Sequence, residues 1–232
     1  MPSCTTGAAT IFIDEAYANQ EIGKFISTKY PVFCAIVKKN DNAYQAYEAS
    51  AFEDLLTTVS QTPDVTGLRV YLASYTSGQY VPAFQENLMT FIFAPTVARP
   101  GSGGQDHDDA GDYYITDPAT GLFVNAGATI KNDWTNNYED LKATQLPQPE
   151  TRSLFYEKTF IDAFLAEFDC FRTQGNPITS VKVFLACFLD EAPVPDQITV
   201  TFNTTQQGSA LAASTGKTSY NTGSPCPPLN CP

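Results

Sequence analysis

The sequence predicts an α+β fold: two tandem pseudo-repeats of helix-helix-strand-strand around a mixed or antiparallel sheet, with an extended C-terminal tail. Three observations carry this. The strand "GLRVYLASY" at 67–75 returns as "SVKVFLACF" at 180–188. Each copy follows amphipathic stretches of helical period. A long run after residue 205 has one charge, Lys217, and many small polar residues. The boundaries that follow are a first unit at 7–97, a Gly/Asp-rich loop and hairpin at 98–125, a second unit at 126–205 and a polar tail at 206–232.

In the first unit Asp14 stands where it can cap a helix, and Ala18, Ile22, Phe25 and Ile26 recur at helical spacing. "PVFCAIVKK" is a short apolar, β-branched run after Pro31 and reads as a strand or extended crossover. "NAYQAYEASAFEDLLTTVS" reads as a second helix, with Tyr44, Tyr47, Ala51, Leu55 and Val59 on one face. Pro63 ends it. "GLRVYLASY" alternates, with Leu68, Val70 and Leu72 on one side and Arg69, Tyr71 and Ala73 on the other. "NLMTFIFAPT" is the next strand, reached through a loose hairpin containing Gly78 and Pro82.

The second unit repeats the order. "GATIKNDWTNNYEDLKAT" aligns with "GAATIFIDEAYANQEIGKF", which sets Asp133 at the place of the cap Asp14. "YEKTFIDAFLAEF" follows "YEASAFEDLLTTV", with Tyr47-Glu48 on Tyr156-Glu157 and Phe52 on Phe160. "DQITVTFNTT" follows "ENLMTFIFAPT". Only "PVFCAIVKK" lacks a counterpart, its place taken by the proline-rich "LPQPETRS". A tandem duplication places its units about a pseudo-twofold axis with self-complementary contacts.

These motifs resemble a group of uncharacterised bacterial proteins with one such unit: a "TI…A" helix start, a second helix, a "GxRxY" strand, another strand and a tail ending in a Cys-Pro-Pro-x-Cys-like motif. "TIFIDEA", "AFEDLL" and "GLRVYLA" fit the first unit, "TIKNDW", "TFIDAFL" and "SVKVFLA" the second, and "CPPLNC" the tail. Ser180 replaces the expected glycine, and the cysteine spacing carries one extra residue. The resemblance implies a doubled unit and brings no catalytic residues with it.

Composition narrows the function classes. The 232 residues are 43% hydrophobic, enough for a sizeable core, and carry a formal charge of −12. An acidic chain repels phosphate backbones, so no nucleic-acid partner is expected. No apolar run is long enough for a membrane span. The N-terminal residues lack the basic start and apolar stretch of a secretory leader, which predicts a cytoplasmic protein with reduced thiols. On that reading Cys34, Cys170 and Cys187 are buried, inert thiols.

Several motifs hold candidate chemistry. Cys226 and Cys231 frame two prolines and read as an anchoring turn or a disulfide. A zinc pair would need two further ligands, such as Cys4 and His107. Asp106, Asp108, Asp109, Asp112 and Asp117 surround His107, and carboxylates at near-alternate positions suit a hard divalent cation such as calcium. The pattern is not an EF-hand. "TGKTS" at 215–219 lacks the upstream glycine, strand and helix of a phosphate-binding loop. His107 is the only histidine, so a nucleophile-base pair is hard to build. Glu48 and Glu157 hold matching places, where two carboxylates near an axis could share a proton. Tyr17, Tyr44, Tyr47 and Tyr80 are candidate contact residues, because tyrosine offers rigid area with a polar tip. The reading that results is a non-enzymatic protein-binding or self-assembling protein without a cofactor. The alternative is a metal-dependent hydrolase or transferase using the 106–117 loop.

Overall fold

The computed structural model describes residues 12–78, 80–81, 83–101, 106–146, 150–190, 195–207, 219–220 and 224–226. In chain order the elements are β1 (Phe12–Ile13), α1 (Glu15–Thr28), α2 (Tyr30–Val37), β2 (Tyr44–Glu48), α3 (Ala49–Ser60), β3 (Val65–Ser74) and β4 (Met89–Ala98). Three short strands follow, β5 (His107–Asp109), β6 (Tyr114–Thr116) and β7 (Phe123–Asn125). Then come α4 (Gly127–Leu141), β8 (Ser153–Glu157), α5 (Lys158–Thr173), β9 (Ile178–Cys187), β10 (Ile198–Gln206), β11 (Ser219–Tyr220) and β12 (Ser224–Cys226). The α+β class holds, and every described strand pair is antiparallel.

Two sheets form, in the orders β1-β11-β10-β9-β2 and β12-β8-β3-β4-β6-β7, with β5 also on β4. Each contains strands from both halves of the chain. β2 pairs with β9, setting Glu48 opposite Ser180 and Tyr44 opposite Phe184. β8 pairs with β3, setting Glu157 opposite Gly67 and Ser153 opposite Tyr71. The five-residue strand of each half thus lies in the other half's sheet, in a matching register. The spans 7–97 and 126–205 therefore interleave.

The long strands behave as their alternation predicts. Leu68, Val70 and Leu72 point into one large core, which also holds Val181, Val183 and Leu185 of β9 and the apolar faces of α3 and α5. Phe52 sits among them, within 6.1 Å of the rings of Tyr47, Phe93, Phe123, Phe164 and Phe202. Tyr71 and Ala73 point to the other face of β3 and join a second cluster with Ile92 and Trp134 of α4. Trp134 meets Tyr75 edge-on at 4.9 Å.

Two further reciprocal contacts tie the halves. Lys29, at the end of α1, pairs with Glu150, three residues before β8. Lys142, at the end of α4, pairs with Asp41, three residues before β2. The carboxylates also take backbone donors alike. Asp41 accepts from Asn42 N and Met89 N at 2.7 and 2.6 Å. Glu150 accepts from Thr151 N and Ile198 N at 3.1 and 2.6 Å. Met89 and Ile198 each begin the second long strand of their half. A buried carboxylate needs this company, because its desolvation is otherwise prohibitive.

Local expectations are corrected at several points. "PVFCAIVKK" is helical: Pro31 lies in the first turn of α2, where its missing N–H costs no bond, and Lys38 closes the helix in the left-handed region. The stretch from Tyr44 to Glu48 is strand, and the helix begins only at Ala49. Asp14 does cap α1, accepting from Ala16 N at 2.8 Å. Asp133, however, lies inside α4, whose first residue is Gly127. Cys34 and Cys187 are free thiols, the first only half-buried, and burial pushes Cys187 up to about 12. Cys170 is disulfide-bonded rather than a thiol. The tail, expected to stay extended, has two described segments, and both are strands: β11 joins β10 and β1, and β12 joins β8. Cys231 lies outside the described residues, as does the side chain of Cys226. Among the described residues no helix is long and apolar enough to cross a membrane.

Candidate functional site

The acidic loop folds back as β5 along β4, with Asp109 opposite Thr96 and Asp108 opposite Val97. Strand alternation then sends its carboxylates in different directions. Asp109 turns inward to Arg69 of β3: Nη1 lies 3.0 Å from Oδ1, and Tyr71 Oη donates to Oδ2 at 2.5 Å. Asp106 and Asp108 both pair with Arg99. Asp112 accepts from Asn125 Nδ2 at 2.6 Å. Asp117 accepts from Ala119 N at 2.9 Å and holds a turn. The four candidate calcium ligands, Asp106, Asp108, Asp109 and Asp112, are therefore engaged by protein donors. Among the described residues no three His, Cys, Asp or Glu side chains converge as a metal site.

His107 is held rather than free. Its ring stacks on Phe155 of β8 at 4.2 Å, its Nδ1 lies 2.9 Å from Thr66 Oγ1, and its carbonyl accepts from Arg69 Nη2 at 2.7 Å. The candidate contact tyrosines are spread apart. Tyr47 is buried in the main core, with its hydroxyl donating to Gln45 Oε1 at 2.7 Å, so it offers no outer surface. Tyr44 is 48% exposed and lies against Phe184 at 5.0 Å. Tyr17 is exposed on α1, and Tyr80 packs partly buried against the second cluster. Glu48 and Glu157 end β2 and β8, both exposed, opposite Ser180 and Gly67 respectively.

What the sequence does not single out is the setting of Arg69. This arginine is 5% exposed in the second sheet. Its outward face looks toward α4, where residues spaced three and four apart share one side of the helix. Lys131, Thr135, Tyr138 and Glu139 line a partly enclosed cavity of about 150 Å³ with Arg69 and Arg152. Lys131 Nζ lies over the Tyr71 ring at 4.3 Å and 5.5 Å from the Tyr113 ring. Burial lowers its pKa below the ordinary lysine value, with Asp109 opposing that shift. Arg152 pairs with Glu139 across the cavity wall. Arg69 Nε and Arg152 Nε are both buried without a hydrogen-bond acceptor among the described residues. Around them burial raises Tyr71 well above the usual phenol value, helped by Asp109, and lifts Tyr113 to about 12. The signal in the sequence is Arg69 interrupting an apolar strand, but its partners lie far along the chain.

A second feature is the rim of the first sheet. Among the described residues β2 is its outermost strand. Leu185 N donates to Ala43 O at 2.9 Å, which fixes the alternation. The backbone groups of Gln45 and Tyr47 face β9, and those of Tyr44, Ala46 and Glu48 face outward. The matching strand β8 is not outermost, because β12 pairs along it from Phe155 to Ser153.

No protein family, curated protein or solved structure matches the chain.

Proposed function

We propose that the chain is a tandem duplication fused into one self-complementary pair, and that it acts as a non-enzymatic self-assembly protein through the rim strand β2. The observation that carries this is the difference between two matching strands. β8 has a third strand on its outer side, and among the described residues β2 has none. An unpaired rim strand is a template for strand addition.

The occupant is the same strand of a second copy. Antiparallel pairing about Ala46 would set Tyr44 of one copy opposite Glu48 of the other, a self-complementary arrangement of the twofold kind most common among oligomers. The exposed side chains of β2 are Tyr44, Ala46 and Glu48, with no lysine or proline to block such pairing. The duplication reading rests on the reciprocal strand registers and on the Lys29–Glu150 and Lys142–Asp41 pairs. The non-enzymatic reading draws on His107, whose ring is stacked flat on Phe155 and whose Nδ1 is taken up by the Thr66 hydroxyl.

Light scattering on the full chain after size exclusion tests the proposal. Wild type is expected to be a dimer, and Ala46→Pro a monomer, since the proline removes an outward N–H and leaves the β9 pairing intact. A monomeric wild type would sink the idea. So would a dimer that survives Ala46→Pro but falls apart when residues 208–232 are removed, which would assign the contact to the tail.

A further inference from the structure

We infer that the cavity between α4 and the β3–β8 pair is a binding site for a small oxyanion, the carboxylate or phosphate of a hydroxylated molecule. This site is independent of the β2 rim. Three cations line it, Arg69, Lys131 and Arg152, with Glu139 the one lining carboxylate and Asp109 paired to Arg69. In a chain with 13 Lys and Arg against 25 Asp and Glu, such a concentration is not the background.

Two observations say that the cations lack a ligand atom. Arg69 Nε and Arg152 Nε are buried N–H groups with no acceptor among the described residues. A guanidinium is the side chain best suited to grip two oxygens at once, and it does not escape by losing its proton. Lys131 is half-withdrawn from water, rests on aromatic faces and makes no ion pair among the described residues. A bound oxyanion would answer all three. The neutral part of the wall, Asn132, Thr135 and Asn136, supplies donors and acceptors that suit hydroxyl groups rather than an apolar body.

The matching place in the other half argues that the fold does not require this set. The correspondence that lays Lys142 on Lys29 lays Lys131 on Ala18, Thr135 on Ile22 and Glu139 on Ile26. The one that lays Ser153 on Tyr44 lays Arg152 on Ala43. Only Arg69 keeps a cation, at Lys182. One half thus carries alanine and isoleucine at these places, with Ile26 exposed, while the other places half-buried charge there.

Isothermal titration of the full chain with glucose 6-phosphate, glucuronate and glucose tests the assignment. At least one charged sugar is expected to bind at one site per chain, and glucose is not. Binding of the phosphate alone or of the carboxylate alone identifies the head group. Arg152→Gln and Lys131→Gln are each expected to weaken binding about tenfold or more, with circular dichroism and melting temperature confirming the fold. Either variant suffices if the other fails to fold. The assignment is overturned if neither charged sugar binds, if glucose binds equally well, or if a folded variant binds like wild type.

Discussion

The ammonium of Lys142 lies 2.6 Å from the carboxylate of Asp41, and neither side chain exposes any surface. Lys142 also donates to Asn87 O at 2.8 Å and sits 5.5 Å from the Phe33 ring. Burial lowers its pKa, and Asp41 works against that shift. Removing one partner strands a buried charge, whereas removing both does not. Asp41→Leu is therefore expected to cost about 3–5 kcal/mol, and the pair Asp41→Leu with Lys142→Met much less. Urea titration of the two single variants and the double variant measures the difference. A loss in the double variant equal to the sum of the two single losses would mean that the charges are not coupled.

Glu167 of α5 sets a pH dependence. It is 3% exposed, and burial raises its carboxyl from 4.5 to about 8, with the nearby Thr204 hydroxyl pulling the other way. Between pH 4.5 and 8 the unfolded chain has lost this proton while the folded chain keeps it. The folded state then binds more protons, so stability falls as pH rises through that window and levels off above it. A tenfold change in proton affinity corresponds to about 1.4 kcal/mol, so the full effect is a few kcal/mol. Glu167→Gln is expected to be more stable than wild type at pH 8 and to lose most of that advantage near pH 4.5. Melting curves across this range show it. A constant offset at every pH would contradict it.

Gly67 pairs with Glu157 at one end of the β3–β8 ladder. A Cβ there would stand 2.1 Å from Tyr156 O and 2.6 Å from the Phe155 ring. The backbone of β8 cannot yield without losing its register, so Gly67→Ala is expected to destabilise by a few kcal/mol. The matching position holds Ser180, opposite Glu48, and carries a Cβ without difficulty. Ser180→Ala is thus the control and should be close to neutral. If both substitutions melt like wild type, the close approach has no energetic weight.

Cys170 makes the fold sensitive to reductant. A disulfide typically adds about 2–4 kcal/mol, so dithiothreitol and Cys170→Ser should each lower the melting temperature, and should not add to one another. Cys34 and Cys187 are free and should leave that response unchanged when replaced by alanine. Such bridges persist in oxidising surroundings, which sets this residue against the reduced-thiol expectation drawn from the N-terminal residues.

The long strands are legible because their alternation is local: Leu68, Val70 and Leu72 segregate from Arg69 and Tyr71 within one short run, and β9 repeats the pattern. β2 is hidden because its inward residues, Gln45 and Tyr47, run straight into the helical period of α3. α2 imitates a strand because "VFCAIV" is β-branched, and only Pro31 and Lys38 mark the ends of a helix there. The site is illegible for a different reason. Asp109 belongs with Arg69, forty residues away, and Arg152 meets Glu139 across a helix-to-strand turn. Spacing within the acidic loop carries no trace of such partners, so alternate carboxylates look like cation ligands.

The exchange of β2 and β8 also governs how the chain must be made. As it leaves the ribosome, Tyr44 to Glu48 has no partner until Ser180 to Phe184 has been synthesised. Pairing so distant in sequence is slow, and an unpaired strand in the interval is open to other chains. Neither half can finish its sheet alone, so the fold closes as one late event rather than one unit after the other. Two separately produced halves should recover the structure only when mixed.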